Sequence, residues 1–113
     1  METKIGKKGS GLAVDGPFRN VDTVQSLSGA GAVDVISSIT QVTTTGADAL
    51  TLADGSEGQW KSIVMIVDGG AGTLTPSNFA SGTTITFDDV GDTALLLFTN
   101  GSWFFMGGTG TVA

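Results

Sequence analysis

The rhythm of apolar positions along the chain changes near residue 32. Between Met1 and Gly31 large apolar side chains are sparse, glycine falls at 6, 9, 11, 16, 29 and 31, and Pro17 interrupts. Ordering a glycine costs more backbone entropy than ordering any other residue. The pattern predicts an extended arm over 1–31, ordered where it touches something, with Leu12, Val14 and Phe18 as anchors. From Ala32 onward Thr and Val are abundant, glycine punctuates, and no stripe recurs at i, i+3, i+4, i+7. Residues 32–113 therefore read as one β-domain.

Within that domain, Val33–Thr44 is rich in β-branched residues and predicts two short strands or one bent one. Ala49–Ala53 alternates, with Leu50 and Leu52 on one face. Gln59–Asp68 predicts the central strand, since Ile63 to Val67 run without alternation, as in a strand covered on both faces. Pro76 predicts an edge position for Thr73–Thr75, because proline cannot donate to a ladder. Thr83–Phe87 alternates and turns Ile85 and Phe87 inward.

The clearest local signal is "DTALLLFTNGSWFFM". Asn100-Gly101 tolerates the positive φ angles of a type I′ turn, so Thr93–Thr99 and Ser102–Met106 form a hairpin. Large side chains point to both of its faces. One face packs on the domain's own second sheet; the other calls for a further partner, and a symmetric copy is the simplest source. Leu96, Phe98, Trp103 and Phe105 are the expected subunit contact. The fold class is therefore all-β: a small antiparallel sandwich or barrel-like domain.

Charge adds an asymmetry. Residues 1–19 hold Lys4, Lys7, Lys8 and Arg19 against Glu2 and Asp15, a balance of +2. Residues 20–113 hold Lys61 against nine carboxylates, a balance of −8. Such a body repels phosphate, so no nucleic-acid partner is expected. The basic start is either a solvated tail or an arm that meets an acidic neighbour. It has no apolar run after it, as a secretory signal would. The longest apolar runs, Ile63–Val67 and Ala94–Phe98, fall far short of a membrane-spanning helix, and no membrane partner is expected.

Candidate chemistry is thin. The chain has no His and no Cys, which excludes imidazole and thiolate ligands, Ser-His catalysis and disulfides. Asp88, Asp89 and Asp92 could bind a cation through oxygen, but aspartate is also a turn former and the spacing is not that of an EF-hand loop. "DGGAG" at 68–72 follows a strand, yet no helix pattern and no Gly-Lys-Ser/Thr follows it. Lys61 reads as half of a surface ion pair. Trp60, Trp103, Phe104 and Phe105 could stack on a glycan, or could be core or subunit contact. No basic group stands out to activate a Ser or Thr. The expectation is no enzyme, no metal and no cofactor.

Within Thr43 to Gly108 lies a series of short motifs: Thr-Gly-Ala-Asp at 45–48, Leu-x-Leu at 50–52, Asp-Gly-x-x-Gly-Gln at 54–59 and Asp-Gly-Gly at 68–70. Thr-Leu-Thr-Pro at 73–76, Thr-Ile-Thr-Phe at 84–87 and Asn-Gly-x-Trp at 100–103 continue it. With these motifs the stretch resembles a β-rich module of tailed bacteriophages, especially marine ones, found in small virion structural proteins and at the ends of some fibre proteins. The resemblance implies a homotrimeric structural protein with no reaction to catalyse. Fibre proteins are generally long, whereas this chain is one module with a short arm, closer to a capsid decoration or cement protein on the virion's capsid surface. Its partner would be the major capsid protein, met by Lys4, Lys7, Lys8, Leu12, Val14, Phe18 and Arg19. The alternative is a tail- or head-fibre module that recognises host surface glycan.

Overall fold

The computed structural model describes residues 24–113. Lys4, Lys7, Lys8, Leu12, Val14, Phe18 and Arg19 lie outside them. The described chain is all-β: β1 Val24–Ser28, β2 Gly31–Val33, β3 Ile39–Thr43, β4 Asp48–Leu52, β5 Gln59–Val67, β6 Gly72–Pro76, β7 Ile85–Phe87, β8 Thr93–Thr99, β9 Ser102–Gly107 and β10 Thr111–Val112. They form two packed five-stranded sheets. Sheet 1 has the order β1-β3-β5-β8-β9, and sheet 2 the order β10-β7-β6-β4-β2.

The first six strands alternate between the sheets, so the chain winds around the core as a flattened coil. Same-sheet neighbours then run in the same direction, and β1-β3, β3-β5, β2-β4 and β4-β6 are all parallel. The later strands pair antiparallel: β5-β8, β8-β9, β6-β7 and β7-β10. The expectation of an antiparallel sandwich thus holds for one half, and both sheets are mixed. Parallel neighbours need a crossover between them, and here the opposite sheet's strand is that crossover.

Two further expectations are corrected and a third is refined. Residues 24–31 are sheet rather than arm: β1 pairs with β3 from Val24↔Ile39 to Ser28↔Thr43, and β2 starts at Gly31. The segment Val33–Thr44 keeps to the first of its two expected forms, two short strands, but these lie in different sheets, with Asp34–Ser38 as the connection. The other correction concerns β6, an interior strand despite Pro76. The proline is its last residue, and the next amide, Ser77 N, donates to Leu52 O at 2.8 Å.

The core lies between the sheets. Val33, Val42, Leu50, Leu52, Ile63, Met65, Leu74, Ile85, Phe87, Ala94, Leu96, Phe98 and Trp103 are all buried. Alternation delivers them: every second residue of β4, β5, β6, β7 and β8 faces inward. Leu96, Phe98 and Trp103, expected as subunit contacts, are therefore core of their own chain. Trp103 is fully buried, meets Phe98 edge-on at 5.1 Å and donates Nε1–H to Ala53 O at 2.9 Å. Phe105 is half-buried and packs against the same cluster. The hairpin turn is as expected, with Asn100 at φ 53° and Gly101 at φ 77°.

Gln25 ties the start of the coil together. Its Nε2 donates to Ala32 O at 2.9 Å, and its Oε1 accepts from Asp34 N at 2.9 Å and Thr40 Oγ1 at 2.8 Å. One side chain thus joins β1, β2 and β3. Gln25→Ala strands the part-buried Asp34 amide and Thr40 hydroxyl and should cost about 1–2 kcal/mol, read as a lower urea midpoint with an unchanged m-value.

Candidate interaction face and a buried lysine

In a two-layer sandwich each sheet has one face on the core and one outside. On the outer face of sheet 2 the in-register rows read Thr111–Thr86–Thr73–Ala49 and Thr75–Thr51–Ala32. Small β-branched hydroxyls are what a solvated sheet face calls for.

The outer face of sheet 1 is different. Trp60, Leu97 and Phe104 form one cross-strand row. Val24, Ile39, Ser62 and Leu95 form the next, closing on Gly107. Trp60, Ile66, Val67, Leu95 and Met106 each leave between 38% and 51% of their surface in solvent. Two register irregularities enlarge the patch. Val42 pairs with Met65 and Thr43 with Val67, so Ile66 is an extra residue and both Ile66 and Val67 are exposed. In β9 the pairs Leu95↔Gly107 and Leu96↔Phe105 skip Met106, which stands 51% exposed. Beside these side chains lies a shallow depression lined by Ser62, Val64, Thr93, Leu95, Gly107 and Gly108. A Cβ at Gly108 would sit 2.2 Å from Thr93 O at φ 128°, so the backbone approach that shapes its rim requires glycine.

Sheet 1's outward strand positions carry no charged side chain. The described carboxylates lie in connections or at strand ends. Asp34, Asp54 and Glu57 sit in two connections, Asp48 opens β4 and Asp68 follows β5. Asp88, Asp89 and Asp92 lie between β7 and β8.

That last trio brings its carboxylate oxygens within 4.8 Å of one another. Hydrogen bonds within the connection account for this. Asp92 Oδ2 accepts from the backbone N–H of Asp88 at 3.0 Å and of Asp89 at 3.1 Å, and Oδ1 accepts from Thr109 Oγ1 at 3.0 Å. The Asp88 amide holds Asp92's pKa down. Sharing a proton with Asp92 pushes Asp88's up. Glu57 plays a similar part at the hairpin, accepting from Thr99 Oγ1 and from Asn100 N. Those two donors, Thr99 first, lower its pKa.

Lys61 overturns its expectation as a surface residue. It is fully buried, inward beside Ile63 and Met65. Its Nζ donates to Ser37 O at 2.6 Å and lies 3.5 Å from Asp34 Oδ1. Asp34 also accepts from the N–H of Ile36 and Ser37 and from Ser37 Oγ. The ammonium therefore pins the β2–β3 connection onto sheet 1. Burial pulls the Lys61 pKa below 10.5, partly offset by Asp34. Burial also pushes Asp34 upward, but the Ser37 amide and Lys61 outweigh it and leave Asp34 below 3.8.

These directions fix a pH dependence. Unfolding returns Asp34 to the higher carboxylate pKa, so its contribution is present above 3.8 and is lost as pH falls toward the folded value. Unfolding also returns Lys61 to a higher pKa, so the unfolded chain binds the extra proton, and stability rises with pH between the folded value and 10.5. Urea midpoints across this range should show both slopes, and the alkaline rise should vanish in Lys61→Met.

In β5 the alternation of Lys61, Ile63 and Met65 turns the lysine inward. It turns Trp60 outward, away from buried Trp103, so the two tryptophans share no platform. Comparison with protein-family models and with curated proteins gives no match.

Proposed function

We propose that the chain is a non-enzymatic structural protein of a virion, a capsid decoration or cement protein that works as a homotrimer. The observation that carries the structural part is the uncharged outer face of sheet 1, where Trp60, Ile66, Val67, Leu95 and Met106 stand exposed on an otherwise acidic domain. A face of that kind is suited to contact with protein rather than to chemistry on a small molecule. The virion part rests on the resemblance of Thr43 to Gly108. In this reading the arm before Val24, with Lys4, Lys7, Lys8 and Arg19, meets acidic surface on the major capsid protein while the acidic domain faces outward. A ligand that binds only the mature shell stabilises it by mass action.

Exposed Trp60, with Leu97 and Phe104 in its row, favours one second reading, a fibre module that stacks a host glycan there. Co-sedimentation with mature shells of the parent phage separates the two. The decoration reading expects saturable binding that disappears when residues 1–23 are removed. The deletion must stop before Val24, because a cut at 31 would also remove β1. No binding by the intact chain overturns the decoration reading, and glycan-dependent change in Trp60 fluorescence would support the second.

A further inference from the structure

We infer that the outer face of sheet 1, centred on Trp60, Leu95, Leu97, Phe104 and Met106, is the surface through which copies of this chain bind one another. The inference deepens the homotrimer reading by moving its contact from the inner to the outer side of the same hairpin.

Three observations select a second copy as the occupant. The first is size. Five strands about 4.8 Å apart and roughly 17–30 Å long make a face of about 500 Å² before side-chain relief is counted. That is the order of the roughly 800 Å² that each partner gives to a standard interface. The second is charge. A domain with nine carboxylates and one buried lysine over 20–113 repels its own copies except where charge is absent. The outward positions of sheet 1 are such a place, and they hold no basic side chain to recruit an anionic lipid or phosphate. The third is relief. Trp60 and Met106 project, and the depression at Gly107 and Gly108 lies on the same face. Projection and recess on one surface let one part of the face meet a different part of it on the next copy, as a closed ring of three requires.

Sheet 2's threonine rows provide the internal control. They are equally free of charge, yet lack large apolar side chains, so they gain little from exclusion of water.

Sedimentation equilibrium of the full chain tests the inference, with Trp60→Glu and Leu95→Lys on sheet 1 and Thr73→Lys on sheet 2. Circular dichroism verifies that each variant folds. The expected result is a wild-type oligomer that Thr73→Lys retains and both sheet 1 variants weaken roughly 100-fold, as central apolar contacts do. A wild-type chain that stays monomeric across the concentration range overturns self-association, while leaving shell binding to be judged by co-sedimentation. An oligomer that survives both sheet 1 changes overturns this placement of the contact.

Discussion

Trp103→Ala should cost about 3–5 kcal/mol, the range for removing a large aromatic from a packed core. The indole is fully buried, shares an edge-to-face contact with Phe98 and carries the Nε1–H bond to Ala53 O. Its ring also lies against Gly55, where a Cβ would come within 2.8 Å of Cζ2. Truncation therefore leaves a cavity, strands the Ala53 carbonyl and frees the 53–58 connection. A domain of this size has only about 5–15 kcal/mol to lose. Trp103→Phe keeps the ring packing and should lose about 1–2 kcal/mol, chiefly the hydrogen bond. Urea unfolding followed by circular dichroism measures both. If Trp103→Ala unfolded at nearly the wild-type midpoint, Trp103 would not be core.

The second large effect is an asymmetry between two partners. Asp34→Asn keeps an acceptor for the Ser37 and Ile36 amides but removes the charge facing Lys61. It leaves a buried ammonium without its counter-ion and should cost about 3 kcal/mol, the low end for breaking a buried pair because Asp34 is itself partly solvated. Lys61→Met replaces the stem by an apolar one of similar length beside Ile63 and Met65. It removes the bond to Ser37 O and leaves a partly solvated Asp34 that keeps its amide donors, so it should cost about 1–2 kcal/mol, less than Asp34→Asn. The double variant should recover part of what Asp34→Asn loses. A double-mutant cycle in urea reads the coupling directly. Additive losses would mean that the pair does not interact.

The parts of the fold that local chemistry dictates were legible. Asn100-Gly101 announced the hairpin, and alternation in Thr83–Phe87 placed Ile85 and Phe87 inward. β1 was not legible, because its inward positions are Gln25 and Leu27: the first is held by hydrogen bonds rather than by hydrophobicity, so no apolar alternation marks it. Parallel pairing was also hidden. It depends on the chain crossing to the other sheet between Val33 and Ile39, and no turn signature encodes that register. The central strand misled in an instructive way. An unbroken run from Ile63 to Val67 reads as covered on both faces, but within one chain only Ile63 and Met65 are covered, while Ile66 and Val67 face solvent.

The candidate site suffered from the same ambiguity. Both faces of β8 and β9 are apolar, so sequence gave the presence of two greasy faces but not which of them turns inward. Phe98 and Trp103 lie opposite each other, and so do Leu97 and Phe104. Either pair could have closed the core. The choice is made elsewhere, by Trp103's bond to Ala53 O and by the close approach at Gly55. That choice sends Leu97 and Phe104 outward with Trp60.

The most direct test of this account follows Trp60 alone. In Trp103→Phe the remaining tryptophan reports on the outer face of sheet 1. On concentration its emission should shift to the blue and its quenching by acrylamide should fall, in step with the rise in molecular mass. Emission that stays red-shifted and fully quenchable while the mass rises would place the contact elsewhere and contradict the account.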